Sequence, residues 1–232
     1  MKLLLFDIDG TLCLSGGAGA RAMTMAAVDL FGGDDHFDGI PMAGRTDAWI
    51  VAQMAAARGA VYDHEVRSRF HDRYITHLER EIHLPGPRKG VLPGVRAILD
   101  ALEGRRDAQL ALLTGNYWRG ARIKLEYFDL WRYFRTGAFG DHVHDRNALL
   151  AEAIDRVAAD GPRVQPADVV IIGDTPLDVA VAKAGGARSL AVATGSYDEA
   201  ALRESGADRV LKDLLEREAV LEALGLASGP DR

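Results

Sequence analysis

Short apolar runs along the chain predict buried β-strands. The first, Leu3 to Phe6, has no polar interruption and is too short for a helix, which is typical of a strand covered on both faces of a parallel sheet. The other runs are 109–113, 168–172, 189–193 and the shorter 209–211. Between them, apolar residues recur at helical spacing in 95–102 and 149–157. Strands alternating with helices favour an α/β fold: a parallel sheet with helices on both faces.

Residues 15–92 break this alternation. Helical patterns follow one another at 23–31, 50–57 and 63–82, and we identify no strand among them. Several prolines and glycines between Pro85 and Gly94 then return the chain to the strand-and-helix pattern. We therefore expect a discontinuous α/β core, residues 1–14 and 93–232, with a small all-helical cap domain, residues 15–92, that covers the strand ends.

Polar residues follow three of the predicted strands directly. They are Asp7 and Asp9 after the first strand, Thr114, Gly115 and Asn116 after the second, and Asp174 and Asp178 after the third. Because the carboxyl ends of parallel strands converge, these residues are expected to share one pocket. Four carboxylates in one place repel, and a hard divalent cation relieves that repulsion. The sequence thus predicts Mg²⁺ held by Asp7, Asp9, Asp174 and Asp178, with an open position for a phosphate oxygen.

The same pocket offers groups that suit a phosphate. The Thr114 hydroxyl, the Gly115 backbone N–H and the Arg146 guanidinium can each donate hydrogen bonds to phosphate oxygens. Asn116, the next residue of the turn, is included in this predicted phosphate site.

The stretches FDIDGTL, LLTGN and VIIGDTPLD, in this order, resemble motifs one, two and four of the haloacid dehalogenase superfamily. The resemblance spans nearly the whole chain, and the helical insert after the first motif is similar to the cap of the phosphoglycolate phosphatase-like members. It implies a Rossmann-like core in which Asp7 is the nucleophile that forms an aspartyl-phosphate. It also implies that Asp9 is the general acid and base, and that the metal contacts the side chains of Asp7 and Asp174 and the backbone carbonyl of Asp9.

Two features of these motifs bear on the reaction. Superfamily members that cleave carbon–halogen bonds lack an aspartate at the position of Asp9, so its presence favours phosphoryl transfer. In the third motif the family commonly shows a lysine, whereas HVHDRNALL offers Arg146. An arginine keeps the charge and binds phosphate in a bidentate manner. Lys124, on the helix predicted after the second motif, is the competing cation, and we favour Arg146.

Asp178 has two interpretations. Thr175 reads as a helix N-cap with Pro176 at the first helical position, which puts Asp178 at the third position, where an acid stabilises the helix start. Alternatively, Asp178 belongs to the metal site. The sequence leaves both interpretations open.

Arg45, in PMAGRTD within the helical insert, is the candidate for substrate specificity. A loop bounded by proline and glycine in a lid is a common place for residues that read the substrate. The alternative for Arg45 and for the neighbouring Asp47 is a solvated turn and helix end.

The charge and the cysteine content of the chain limit the kinds of partner and the compartment that we expect. The chain of 232 residues has a formal net charge of -6 and no run of five basic residues, which argues against nucleic acid and anionic membranes as partners. The single cysteine, Cys13, excludes an internal disulfide and fits a reducing compartment. No apolar stretch reaches the length of a membrane span, and the N-terminus is unlike a signal peptide. We expect a cytoplasmic protein.

Together these observations predict a magnesium-dependent phosphatase that hydrolyses a small phosphorylated metabolite, with phosphoglycolate as the first candidate from the resemblance. One alternative is a phosphomutase of the β-phosphoglucomutase type with the same core. A more distant one is a regulatory protein that uses Asp7 as a phosphoacceptor.

Overall fold

A six-stranded parallel sheet organises the chain. In the computed structural model, which describes residues 1–33, 36–159 and 163–227, the strand order is β5-β4-β1-β6-β7-β8. The strands are β1 (Lys2–Phe6), β4 (Ala108–Leu113), β5 (Gly137–Ala138), β6 (Val169–Gly173), β7 (Arg188–Val192) and β8 (Arg209–Leu211). The predicted α/β class is confirmed, and the first strand lies in the middle of the sheet.

Apolar residues on β1 and β6 alternate between two cores. Leu4 and Phe6 pack with Val170 and Ile172 on one face, against helices α4 (Val95–Leu102), α5 (Trp118–Tyr127) and α9 (Arg217–Leu224). Leu3 and Leu5 pack on the other face, against α6 (Ala148–Ala159) and α7 (Pro176–Gly185). Because both faces of β1 and β6 are buried, the apolar runs in these strands are continuous. The short strand β5 and helices α8 (Glu199–Glu204) and α9 were not predicted from the sequence.

Three helices, α1 (Ala18–Phe31), α2 (Asp47–Ala57) and α3 (His64–Glu81), make up most of the helical insert, residues 15–92. They surround an apolar cluster of their own, which the core residue Tyr117 also joins. One difference from the sequence analysis is a strand inside the insert, β3 (Gly90–Val91), which pairs antiparallel with β2 (Cys13–Leu14). Two residues are too few to show the alternation by which strands are recognised.

The two connections between insert and core touch each other. Gly16, with φ 65°, lies against Gly86, and a Cβ at Gly86 would come within 2.0 Å of the Gly16 carbonyl oxygen. Only residues without a side chain allow such close backbone approach. The two chain segments that connect the insert to the core, at Gly16 and Gly86, therefore lie in direct backbone contact.

Among the described residues, no helix is both long and apolar enough to cross a membrane.

Candidate active site

A cavity of about 370 Å³ lies at the carboxyl ends of β1, β4 and β6, with the helical insert forming its other wall. Of the residues predicted for the site, all but Thr114 and Asp178 line it; those that do are Asp7, Asp9, Arg45, Gly115, Asn116, Arg146 and Asp174. The strand ends bring Asp7, Asp9, Gly115, Asn116 and Asp174 together, while Arg45 comes from the insert and Arg146 from the segment before α6.

Three buried carboxylates form a tight cluster beside the cavity, and two of them, Asp7 and Asp174, line it. Each of Asp7, Asp174 and Asp178 offers an oxygen, and these oxygens lie within 4.8 Å of one another. Burial raises the pKa of Asp7, an effect that Arg146 opposes and Asp178 reinforces. The pKa of Asp174 lies well above its ordinary value because of burial and of the charges of Asp178 and Asp7. Three carboxylates this close together, two of them with a raised pKa, are suited to a divalent cation with oxygen ligands.

The surroundings of Asp174 leave no room for other side chains. A Cβ at Gly10 would lie 2.3 Å from the carboxylate of Asp174, and one at Gly195 only 1.6 Å from it. The Thr11 hydroxyl donates to Asp174 Oδ1 at 3.2 Å. Backbone and hydroxyl contacts thus fix this carboxylate beside Asp7.

Arg146 is the cation inside this cluster. Its Nη2 lies 3.0 Å from Asp7 Oδ2 and 2.5 Å from Asp178 Oδ1, while Nη1 donates to the Gly44 carbonyl at 2.8 Å. Burial alone would lower the pKa of Arg146, but Asp178 and Asp7 together raise it. The guanidinium therefore stays charged next to Asp7, and its role as the third-motif cation stays a prediction.

Asp178 caps its helix and also belongs to the acidic cluster, while its contact with a metal stays a prediction. Its Oδ2 accepts hydrogen bonds from the Thr175 N–H and hydroxyl, at 3.0 and 2.8 Å, and Thr175 in turn caps α7, which completes a capping box. The other oxygen, Oδ1, contacts Arg146, so the capping box and the ion pair with Arg146 use different oxygens of Asp178.

Asp9 points away from the acidic cluster. Its Oδ2 accepts hydrogen bonds from Lys124 Nζ at 2.5 Å and from Asn116 Nδ2 at 2.9 Å. The side chain of Asp9 is therefore separate from the carboxylates of Asp7, Asp174 and Asp178, and any contribution to a metal would come from its backbone carbonyl. The contact with Lys124 was missed from the sequence. The position of this lysine between the apolar residues Ala121 and Leu125 of α5 was the signal that could have indicated a buried cation.

The turn after β4 carries the predicted phosphate ligands. The fully buried Thr114 accepts a hydrogen bond from Asn116 Nδ2 at 3.0 Å, and its own hydroxyl bonds to Asp7, which offsets a small part of the rise in pKa that burial causes there. Gly115 packs so closely under the insert that a Cβ there would lie 2.1 Å from the Arg45 carbonyl oxygen. The side chain of Asn116 bonds to Asp9, Thr114 and Lys124. Phosphate binding by these three residues stays a prediction.

A loop of the insert, residues 42–47 (the insert loop), closes over the strand ends. The Asp47 N–H donates to the Gly115 carbonyl at 2.7 Å, and the Gly44 carbonyl receives Arg146. The half-buried Arg45 lines the cavity, with its guanidinium carbon 4.5 Å from the centre of the Trp49 ring. A cation held against an aromatic face is orientationally restrained. Arg45 thus lies at the cavity wall with its guanidinium against an aromatic ring.

Asp47 is a buried carboxylate and not a solvated helix end. It accepts a hydrogen bond from the Tyr117 N–H at 2.8 Å, so it ties the insert to the core. Burial raises its pKa from 3.8 to about 7, although Lys124 and the Tyr117 N–H act in the opposite direction. Helical position alone could not show this burial, because the covering residues come from another part of the chain.

The pKa of Asp47 predicts a pH dependence of stability. The folded protein holds this proton more tightly than the unfolded chain does, so stability falls as the pH rises between ~4 and ~7 and then levels off. Asp47→Asn keeps an acceptor for the Tyr117 N–H and removes the titration. We expect its melting temperature to fall less than that of the wild type between pH ~5 and ~8. Asp63→Asn, at the exposed N-cap of α3, is the matched control. Parallel curves for Asp47→Asn and wild type would contradict the assignment.

Comparison with known proteins identifies relatives over most of the chain. The sequence model of the family described as haloacid dehalogenase-like hydrolase matches residues 1–186. The phosphoglycolate phosphatase of Rhodospirillum rubrum is 30% identical over 221 residues, which cover 91% of this chain and 87% of that protein. A phosphorylated carbohydrates phosphatase of Thermotoga maritima is 34% identical over 121 residues, 52% of this chain and 55% of that protein.

A solved structure of similar fold is that of a hydrolase from Pseudomonas syringae. It superposes with a TM-score of 0.70 at 22% identity, covering 98% of this chain and 100% of that one. At this identity the likeness concerns the fold alone.

Proposed function

Because the chain belongs to the haloacid dehalogenase-like hydrolase family and is a phosphatase of that family, we propose that it hydrolyses a small phosphorylated metabolite. In this proposal Mg²⁺ is the cofactor, the reaction passes through an aspartyl-phosphate on Asp7, and residues 15–92 act as a cap over the core of residues 1–14 and 93–232. Phosphoglycolate is the first candidate substrate, since a relative of that name aligns with most of the chain.

The observation that carries the proposal is the setting of Asp7. This carboxylate lies at the floor of the cavity with Arg146 at 3.0 Å and with Asp174 and Asp178 close by. An anionic nucleophile needs such neutralisation before an anionic phosphate can approach it. Arg146 supplies one positive charge for three carboxylates, so a further cation would be needed to neutralise the cluster.

The residues present fit a magnesium ion. Asp7 and Asp174 would hold it through their side chains and Asp9 through its backbone carbonyl, with Asp178 at the edge of the same cluster. A bound divalent ion would neutralise phosphate charge and orient the phosphoryl group.

The chain's own residues account for both chemical steps. The Asp7 carboxylate attacks phosphorus, and the bond between phosphorus and the leaving oxygen breaks while Asp9 gives that oxygen a proton. Asp9, now ionised, takes a proton from a water molecule whose oxygen attacks the aspartyl-phosphate, which releases inorganic phosphate and restores Asp7. Thr114, the Gly115 N–H and Arg146 hold the phosphoryl oxygens.

A panel of phosphorylated metabolites, assayed with Mg²⁺ and with a chelator, tests the proposal. We expect release of inorganic phosphate from small phosphomonoesters with Mg²⁺ and its loss with the chelator. An absence of turnover across carboxylated and sugar phosphates would contradict the proposed function. A requirement for a sugar bisphosphate would indicate the phosphomutase instead, and a phosphoprotein stable for minutes to hours would indicate a phosphoacceptor.

Arg45 is proposed to read the part of the substrate that projects from the phosphate. Because the sheet motifs face the phosphoryl group, the remainder of the ligand lies towards the insert loop, and an arginine there suits a carboxylate or second phosphate. We expect Arg45→Ala to lower kcat/KM for the best metabolite by ~10-fold or more and to leave an aryl phosphate nearly unchanged.

The matched control is Arg69→Ala, which removes an exposed arginine of α3 that pairs only loosely with Glu65, at 3.9 Å. It should change neither substrate's kcat/KM. Equal losses on the metabolite and the aryl phosphate for Arg45→Ala would remove its specificity role.

A further inference from the structure

Lys124 is a buried lysine at the wall of the cavity. Its side chain is 5% exposed, and Nζ donates to Asp9 Oδ2 at 2.5 Å and to Asn116 Oδ1 at 2.6 Å. Burial alone would lower its pKa, but the charges of Asp9 and Asp47 outweigh burial and raise the pKa. Burying an ammonium group costs free energy unless it is paired, and here Asp9 and Asn116 are its partners.

The two side-chain hydrogen bonds to the Asp9 carboxylate reach the same oxygen atom. Lys124 Nζ and Asn116 Nδ2 both donate to Oδ2, at 2.5 and 2.9 Å. Within residues 1–33, 36–159 and 163–227, no hydrogen bond is donated to Oδ1. The side chain of Asp9 is 39% exposed and lines the cavity. One oxygen is thus fixed by the protein, and the other is left for a ligand.

The helical insert encloses Lys124 from the opposite side. A Cβ at Gly19, on α1, would lie 3.3 Å from Lys124 Nζ and 3.9 Å from the Tyr74 hydroxyl. Tyr74 is itself buried on α3. Core and insert therefore confine the ammonium, so its contact with Asp9 is held in place.

We propose that Lys124 is a positioning residue that fixes Oδ2 of Asp9, with the help of Asn116, and thereby presents Oδ1 to the leaving oxygen and then to the attacking water. The inference rests on the proposed function, in which Asp9 first gives and then takes a proton. Among the described residues, Lys124 Nζ bonds to the side chains of Asp9 and Asn116 and makes no ion pair with Asp7, Asp174 or Asp178. It differs in this from Arg146, which contacts Asp7.

A double-mutant cycle with Lys124→Met and Asp9→Asn tests this dependence. Methionine keeps an unbranched apolar side chain and loses the charge. With an alkyl phosphate we expect Lys124→Met to lower kcat by ~10- to 10²-fold, because Asp9 is no longer held in place. The double variant should be no slower than Asp9→Asn alone, since the effect of Lys124 passes through Asp9. Multiplied losses would overturn the proposal and indicate that Lys124 acts directly on the substrate.

A second readout separates positioning from loss of structure. 4-Nitrophenyl phosphate has a leaving group that needs no acid, so Lys124→Met should form the aspartyl-phosphate readily and hydrolyse it slowly. We expect a burst of nitrophenolate near ~1 equivalent per enzyme, followed by a slow steady state. A variant damaged in its fold would lose both phases together. A burst no larger than that of the wild type would contradict the proposal.

Two further variants complete the test. Arg122→Met removes a charge from an exposed position of the same helix, where Arg122 pairs with Glu126 at 2.8 Å, and should leave kcat unchanged. Lys124→Gln retains a donor for Asp9 and should lie between wild type and Lys124→Met, also if the latter folds poorly. An inactive wild type would remove the proposed function, whereas an active wild type with an unaffected Lys124→Met would remove only this inference.

Discussion

Asp7→Asn is expected to reduce turnover by ~10³-fold or more while the protein stays folded, because an amide cannot attack phosphorus. The substitution keeps the size of the side chain. It also takes one negative charge out of a cluster in which burial already raises the pKa of Asp7, so stability should be unchanged or higher at neutral pH. Phosphate release with a saturating metabolite and a melting curve measure the two parts of this expectation.

A trapping experiment sharpens the test of Asp7. Wild-type protein quenched in acid during turnover of a labelled substrate should carry a phosphoryl group that hydroxylamine removes, as an acyl phosphate does, and Asp7→Asn should carry none. Asp198→Asn, which exchanges one good N-cap of α8 for another, serves as the control and should behave as wild type. Label retained by Asp7→Asn would move the nucleophile to another residue.

Asp9→Asn is expected to slow each chemical step by ~10²- to 10⁴-fold, because the amide neither gives nor takes a proton. Its carbonyl can still accept from Lys124 and Asn116, so the local hydrogen bonds should survive. An alkyl phosphate, whose leaving oxygen needs a proton, should reveal the loss of the acid in single-turnover kinetics.

With an aryl phosphate the same variant should form the aspartyl-phosphate quickly and accumulate it, since only water activation then depends on Asp9. Wild-type single-turnover rates on the alkyl phosphate would show that Asp9 is not the general acid. The two substrates together separate the acid function of Asp9 from its base function.

The local sequence was sufficient for the elements whose signal is short-range. Apolar runs such as 3–6 and 168–172 predicted central parallel strands, because a strand covered on both faces must be apolar throughout. Thr175, Pro176 and Asp178 predicted the start of α7 from capping chemistry alone. Short motifs at the strand ends predicted a shared acidic pocket, since parallel topology makes those ends converge.

Pairings between distant side chains could not be obtained in this way. The choice between Arg146 and Lys124 depended on which carboxylate each cation meets, and the structure places Arg146 on Asp7 and Lys124 on Asp9. Each of these two aspartates lies more than a hundred positions from its cation along the chain, so local sequence does not show the pairing.

Local sequence was enough for the central strands, the capped start of α7 and most of the chemical groups in the pocket, because strand, helix and turn preferences act over a few residues. Packing between distant segments decides which oxygens of Asp9 and Asp178 accept hydrogen bonds from cations, and it buries Asp47. It also brings Gly19 close to Lys124 and Gly86 close to Gly16. Burial and electrostatic pairing arise where separate elements pack together, so they depend on the whole fold and not on any one segment.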